Sequence, residues 1–328
     1  MNNQNYKSID ELILHLSGKG IDVSNLQKQK LINDGYFHGY KAYRFFKSFA
    51  QMLPIISYNE IESTIEYDTK LKSLLYDKVM FIETALKNNT LIVIMSEIQS
   101  SSLHDMYEYA ISSYKNAPQG TSEEDKKEFQ SNKLKLQATI QKAISTAYCY
   151  KIPKISHFYN GAKYADIPLW AVFEILTMGV FGNLLSCLKF DIRDKISKEL
   201  GINLSSDTNR EVLFKYVFSL KELRNAIAHN DVIYDTRFRD AKPSKSMEQC
   251  LISEFNISYI SFTTIGDYVI LISYFLKHLN VSKAEIKQFI DKFIAITQNY
   301  INSISSGISK ITVKQDLFSR LNVVKNHL

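Results

Sequence analysis

Apolar residues recur at helical spacing along most of the chain. Between 282 and 304, Ile286, Phe289, Ile290, Phe293 and Ile296 fall three and four residues apart, the stripe by which an amphipathic helix meets a core. Over 209–229, Leu220, Leu223, Ala226 and Ile227 gather on one side of a predicted helix, and Arg224, Asn225, Ala228 and His229 share the opposite, solvent-facing side. Further helices are predicted over about 59–99, 133–148, 168–188, 191–200 and 259–279. Ser8 with Glu11 reads as a capping box opening a short helix that stops at Gly18 and Gly20; a second helix spans 24–35, and Ser282 with Glu285 opens the one over 282–304. The polar stretch NAPQGTSEEDKKEFQSN, rich in breakers, predicts an exposed loop over 114–132, and RFRDAKPSK a basic loop over 237–245. The tail from Lys310 onward is basic and reads as a docking arm or a frayed end. This pattern divides the chain into a small N-terminal helical subdomain (1–55), a main helical domain (56–310) and the tail (311–328).

Composition narrows the class. Eleven Gly and five Pro in 328 residues are few for an all-β chain, and 45% hydrophobic content is ample for a core. An all-α fold follows. Forty Lys and Arg against 34 Asp and Glu leave a net charge of +6, too small to declare nucleic-acid binding yet compatible with a local basic surface. Three widely spaced cysteines, Cys149, Cys187 and Cys250, form neither a disulfide framework nor a zinc pattern. The N-terminus lacks the features of a signal peptide, so a cytoplasmic protein is expected. The stretch 168–188 is long enough to span a bilayer, but Glu174 and Asn183 interrupt it and a buried core helix is the expectation. No Gly-rich phosphate loop, metal-ligand spacing or nucleophile motif is evident, so neither a cofactor nor a metal is expected.

Two segments carry candidate chemistry. LRNAIAHN, Leu223 to Asn230, sets Arg224 and His229 five positions apart. Arginine binds phosphate and histidine moves protons near neutral pH, a pair suited to a phosphodiester. Asn225 and His229 are neighbours on the helix surface, and small Ala228 leaves a gap beside them. The same residues also fit an ordinary helix end, with His229 and Asn230 terminating it. The second segment interleaves rings and cations: Tyr36, His38, Tyr40, Lys41, Arg44 and Lys47 follow Lys28 and Lys30, and over 26–50 five basic residues face Asp34 alone. Such a surface stacks bases and neutralises phosphates, although the spacing of Tyr40, Tyr43 and Lys47 also fits a core stripe with a solvated basic face.

The Arg-Asn-to-His element resembles the HEPN superfamily, whose ribonuclease members carry Arg, often followed by a polar residue such as Asn, then four to six residues, then His. LINDGYFHGYKAYRFF (31–46) and DIPLWAVFEILTMGVFGNLL (166–185), followed about forty residues later by that element, are similar in order and spacing to the Abi-like (AbiD/AbiF type) abortive-infection proteins of bacteria. LLYDKVMFIETALKN (74–88) is similar to the helix in which that family places a Glu followed by a basic residue, here Glu83 and Lys87, the latter usually Arg. The resemblance covers about 9–234. It implies a HEPN-type helical bundle and a metal-independent endoribonuclease acting in phage defence or as a toxin, homodimeric so that two Arg–His pairs meet, with RNA as substrate and a structured small noncoding RNA as a partner. Arg224, Asn225 and His229 are then catalytic, supported by Glu83 and Asn230. Glu83 would pair with Arg224, although Glu83 and Lys87 also fit an exposed pair on one helix face. The alternative is a non-catalytic RNA-binding protein using the same cationic surface. Some HEPN toxins are silenced by modifying a Tyr two positions after the His; Asp231 stands there, and Tyr234 lies farther on.

Overall fold

A computed structural model describes residues 8–47, 51–160, 167–240 and 242–328. The fold is all-α. In chain order the helices are α1 (Ile9–Ser17), α2 (Asn25–Tyr36), a π-helical turn (Phe37–Lys41), α3 (Ala42–Arg44), α4 (Tyr58–Ile98), α5 (Leu103–Asp105), a second π-helical turn (Met106–Ala110), α6 (Glu123–Cys149), α7 (Pro153–Tyr159), α8 (Leu169–Ile175), α9 (Met178–Cys187), α10 (Phe190–Glu199), α11 (Val212–Ala228), α12 (Lys245–Phe255), α13 (Ile265–His278), α14 (Lys283–Ser303), α15 (Ser306–Thr312) and α16 (Leu317–Asn326). Among the described residues the strands are one short antiparallel pair, β1 (Phe45–Phe46) and β2 (Gln51–Met52), with Phe45 opposite Met52.

α4 is the spine. No Gly or Pro interrupts its 41 residues, about 60 Å at helical rise. It packs against α10, α11, α13 and α14, burying Ile61, Leu71, Leu75, Val79, Ile82 and Leu86. α13 lies at the centre, with all but its last two residues buried. Of the two predicted caps, Ser8 and Glu11 close a complete capping box and the Ser282 hydroxyl accepts the Glu285 N–H; Ser24 and Gln27 form a further complete box.

Four expectations are corrected. The stretch 168–188 is two helices, because Leu176 is extended and the Thr177 side chain caps α9 by accepting the Val180 N–H. No helix among the described residues is long and apolar enough to cross a membrane. The supposed loop over 114–132 ends early, since Ser122 accepts the Asp125 N–H and α6 begins at Glu123. The helix expected from 259 begins at Ile265, preceded by the separate α12, with Asn256 in the left-handed conformation between them. The tail is neither arm nor frayed end. Leu317, Leu321 and Val324 are buried, and Arg320 pairs with buried Asp267 at 2.7 Å. Buried residues from α1 to α16 join one apolar cluster, so the N-terminal helices share the core.

α12 and α13 are joined by Glu254, which lies 2.8 Å from Lys277 Nζ and 3.2 Å from His278 Nε2. The hydrogen bond with His278, then that with Lys277, holds its carboxyl down to about 2 from 4.5. A carboxylate depressed on folding stabilises above its unfolded pKa and loses that contribution as pH falls through its folded one. Thermal unfolding should therefore lose on the order of 2–3 kcal/mol from this group between about pH 4.5 and 2. Glu254→Gln should be less stable than the native chain at neutral pH and flatter across that window; parallel pH profiles of the two would contradict the assignment.

Candidate active site at the end of the motif helix

α11 buries Leu220, Leu223 and Ala226, as its periodicity predicts. It ends in a Schellman arrangement: the Asn230 N–H donates to the Ile227 carbonyl and the Asp231 N–H to the Ala226 carbonyl. Asn230 takes the left-handed conformation (φ 57°) that this cap requires and that Asn tolerates better than most residues. His229 is the cap residue, and Ala228 to Asp231 are exposed. The ordinary helix end is therefore real, and it presents the histidine to solvent.

One face of α4 holds this helix end. Lys72 and Glu83 are 11 residues apart, within about 20° on a helix, and each forms an i,i+4 pair, Asp68–Lys72 and Glu83–Lys87. Glu83 is buried, so the exposed-pair alternative does not hold. Its Oε1 accepts from Lys87 Nζ at 2.8 Å, and its Oε2 faces Arg224 Nε at 3.5 Å. Lys87 also donates to the Leu176 carbonyl at 2.6 Å, a group freed by the break between α8 and α9. That break thus helps to fix Lys87, which fixes Glu83, whose carboxylate faces the Arg224 guanidinium as a charge contact. Arg224 is not wholly solvent-facing: its Nε is buried toward Glu83, its side chain is 34% exposed, and Nη1 donates to Asn225 Oδ1 at 3.3 Å. A guanidinium anchored at its inner edge and open at its outer edge suits a phosphate.

The segment after the helix is tied down as firmly. Lys72 Nζ donates to Asn230 Oδ1 at 2.9 Å and lies 2.8 Å from Asp68 Oδ2. Asp68, fully buried, accepts the backbone N–H groups of Ile233 and Tyr234, each at 2.8 Å, and the Tyr43 hydroxyl at 3.0 Å. Burial pushes its carboxyl up, opposed by Lys72 and the two amides. Asp68 and Lys72 were missed by sequence reading. Their signal was two charged pairs recurring on one face of a long apolar helix. Tyr234 is buried in a stack of rings against Tyr43, its ring centroids 6.2 Å away, so its hydroxyl is withheld from solvent.

The surface expected at 28–47 is largely dismantled. Tyr40 is 2% and Arg44 7% exposed, Arg44 donating to the Ile55 carbonyl at 3.0 Å; both belong to the interior and cannot meet RNA. Lys28 pairs with Asp10 at 2.5 Å and Lys30 with Glu62 at 2.7 Å, acids outside the linear window in which the charge was counted. Tyr36 is half-buried against the Tyr40 ring, and His38 is half-buried. Lys41 is exposed. Lys47 sits at φ 51°, its N–H donating to Asp235 and its ammonium over the Phe46 ring; burial, then Lys314 and Arg239, pushes its pKa down. In the basic loop, Arg237 is bound by Asp235 at 2.7 Å and by the Phe45 carbonyl.

A family model described as Abi-like protein matches residues 29–235. No curated protein and no solved structure matches the chain. The matched span takes in the π-helical turn, the whole of α4, the broken pair α8 and α9, and α11 with the segment that Asp68 secures.

Proposed function

The chain belongs to the Abi-like protein family, a membership that suggests abortive-infection phage defence, and we propose that it acts there as a metal-independent endoribonuclease of HEPN type in the cytoplasm. The observation that supports this reading is the last turn of α11, where Arg224 lies beside buried Glu83 and His229, five residues on, is exposed. The RNA 2′-hydroxyl attacks the adjacent phosphorus; His229 moves a proton as general base or acid, and Arg224 stabilises charge on the phosphoryl oxygens. Asn225, whose Oδ1 accepts from Arg224 Nη1, holds the phosphate or the imidazole, and Asn230, tied to Lys72, supports the same helix end. One histidine serves only one of the two proton transfers, so a homodimer with two motifs facing each other is the proposed active form. A structured small RNA is the proposed restraint on the enzyme.

The test gives purified protein unstructured RNA in excess chelator. Cleavage should proceed. Arg224→Ala and His229→Ala protein, each inactive alone, should regain part of the activity when mixed, because one dimer then holds an intact Arg and an intact His. Cleavage abolished by the chelator contradicts the metal-free mechanism, and RNA binding without cleavage favours the non-catalytic reading.

A further inference from the structure

α11 has a second feature on the approach to the motif. Phe214, Phe218 and Lys221 of this helix, with Arg239, Lys242 and Phe262 from the loops opposite, line a recess of about 270 Å³. Phe214 and Phe218 meet edge to face at 6.3 Å, and Lys221 Nζ lies 5.8 Å from the centroid of Phe218. The Phe218 ring is packed against Gly182 of α9 so closely that a β-carbon there would come within 2.7 Å of it. Arg239 is fixed by donating to the Ser261 and Phe262 carbonyls.

The charges here differ from those on α2. Among the described residues Lys221, Arg239 and Lys242 form no salt bridge, whereas Lys28 and Lys30 both do. Glu222, the one acid in the lining, accepts the Asp240 N–H and attracts Lys221 and Arg239 without pairing directly with either, and Lys215 at the margin is paired with Glu211 at 2.6 Å. Flat apolar walls beside three cations and a single acid are complementary to a base joined to a phosphate. An apolar partner would desolvate three cations without compensation, and a simple anion would leave the rings unused.

Position on the helix gives the recess its relation to the motif. Lys221 is three residues before Arg224, about 60° around the helix and one turn back, whereas Phe218 is about 120° around from Arg224 but, 11 residues before His229, within about 20° of the histidine's side. A strand whose scissile phosphate lies between Arg224 and His229 can therefore carry its next nucleotides back along the His229 side of α11 toward the rings. We propose that this recess is a nucleotide subsite for single-stranded RNA, the base packing on Phe214 and Phe218 and the backbone phosphate lying between Lys221 and Lys242. The assignment rests on the ribonuclease reading and extends it from the cut bond to the neighbouring nucleotide.

The test uses full-length His229→Ala protein with short single-stranded RNA carrying 4-thiouridine, crosslinked by light and mapped by mass spectrometry. Crosslinks are expected on the peptide holding Phe214 to Lys221. Adding Lys221→Ala and Lys242→Ala should weaken binding about tenfold and flatten the salt slope by about 0.7, the value for one lost phosphate contact. In the otherwise native chain the same pair should raise KM more than it lowers kcat. Crosslinks confined to other surfaces, or a double variant with native affinity and slope in a chain that still cuts RNA, would overturn the subsite and leave the ribonuclease reading standing. A native chain that neither binds nor cuts RNA overturns both.

Discussion

His229→Ala and Arg224→Ala should each lower the rate of RNA cleavage by at least about 10²-fold, the scale expected of a group that transfers a proton or stabilises developing charge. Their stability effects should differ. His229 is an exposed cap residue whose backbone, not its ring, makes the helix end, so its removal should change Tm little. Arg224 leaves behind buried Glu83, which keeps Lys87 as a partner, so its loss should cost about 1 kcal/mol. Glu83→Gln separates positioning from contact: it should lower kcat while retaining more activity than Arg224→Ala, because the guanidinium is present but loosely aimed. Rates measured under single-turnover conditions, alongside melting curves, decide this. Native rates in both alanine variants would remove the motif from the chemistry.

The largest stability effect is expected at Asp68. Asp68→Ala strips the acceptor from Lys72, the Tyr43 hydroxyl and two backbone amides, all in the interior. Removing one member of a buried ion pair costs about 3–5 kcal/mol, chiefly because the other is left uncompensated. Tm should fall by on the order of 5–10 °C. Asp68→Asn keeps the volume and an acceptor oxygen and should lose less. Cleavage should fall too, because Lys72 holds Asn230 immediately after His229. Calorimetry showing Asp68→Ala within about 1 kcal/mol of the native chain would mean that this network does not secure the segment.

Sequence periodicity located what repeats and missed what depends on neighbours distant in the chain. The spine and α14 were legible because their stripes run for many turns without Gly or Pro. The break at Leu176 was not, since Ile175, Leu176 and Thr177 carry no breaker and the signal was a single threonine cap. The start of α6 and the whole of α12 were readable in retrospect: Ser122 precedes Asp125 by three, and Met247, Cys250, Leu251 and Phe255 form a stripe behind Ser244. The motif and its anchor Glu83 were found through resemblance, whereas Asp68 and Lys72 resemble an exposed helical pair until burial is known. Linear charge counting failed at Lys28 and Lys30 because Asp10 and Glu62 reach them only in the fold. Arg44 and Tyr40 failed for a related reason: a turn of aromatic and basic residues reads alike whether its rings face water or α4.

The most direct test of the proposed chemistry is the identity of the new RNA ends. Attack by the 2′-hydroxyl requires a 2′,3′-cyclic phosphate on one fragment and a free 5′-hydroxyl on the other. Mass spectrometry of products formed by native protein in chelator should find both, and neither should accumulate above background with His229→Ala. Fragments ending in 3′-hydroxyl and 5′-phosphate, or cyclic ends formed as fast by His229→Ala, would contradict the account.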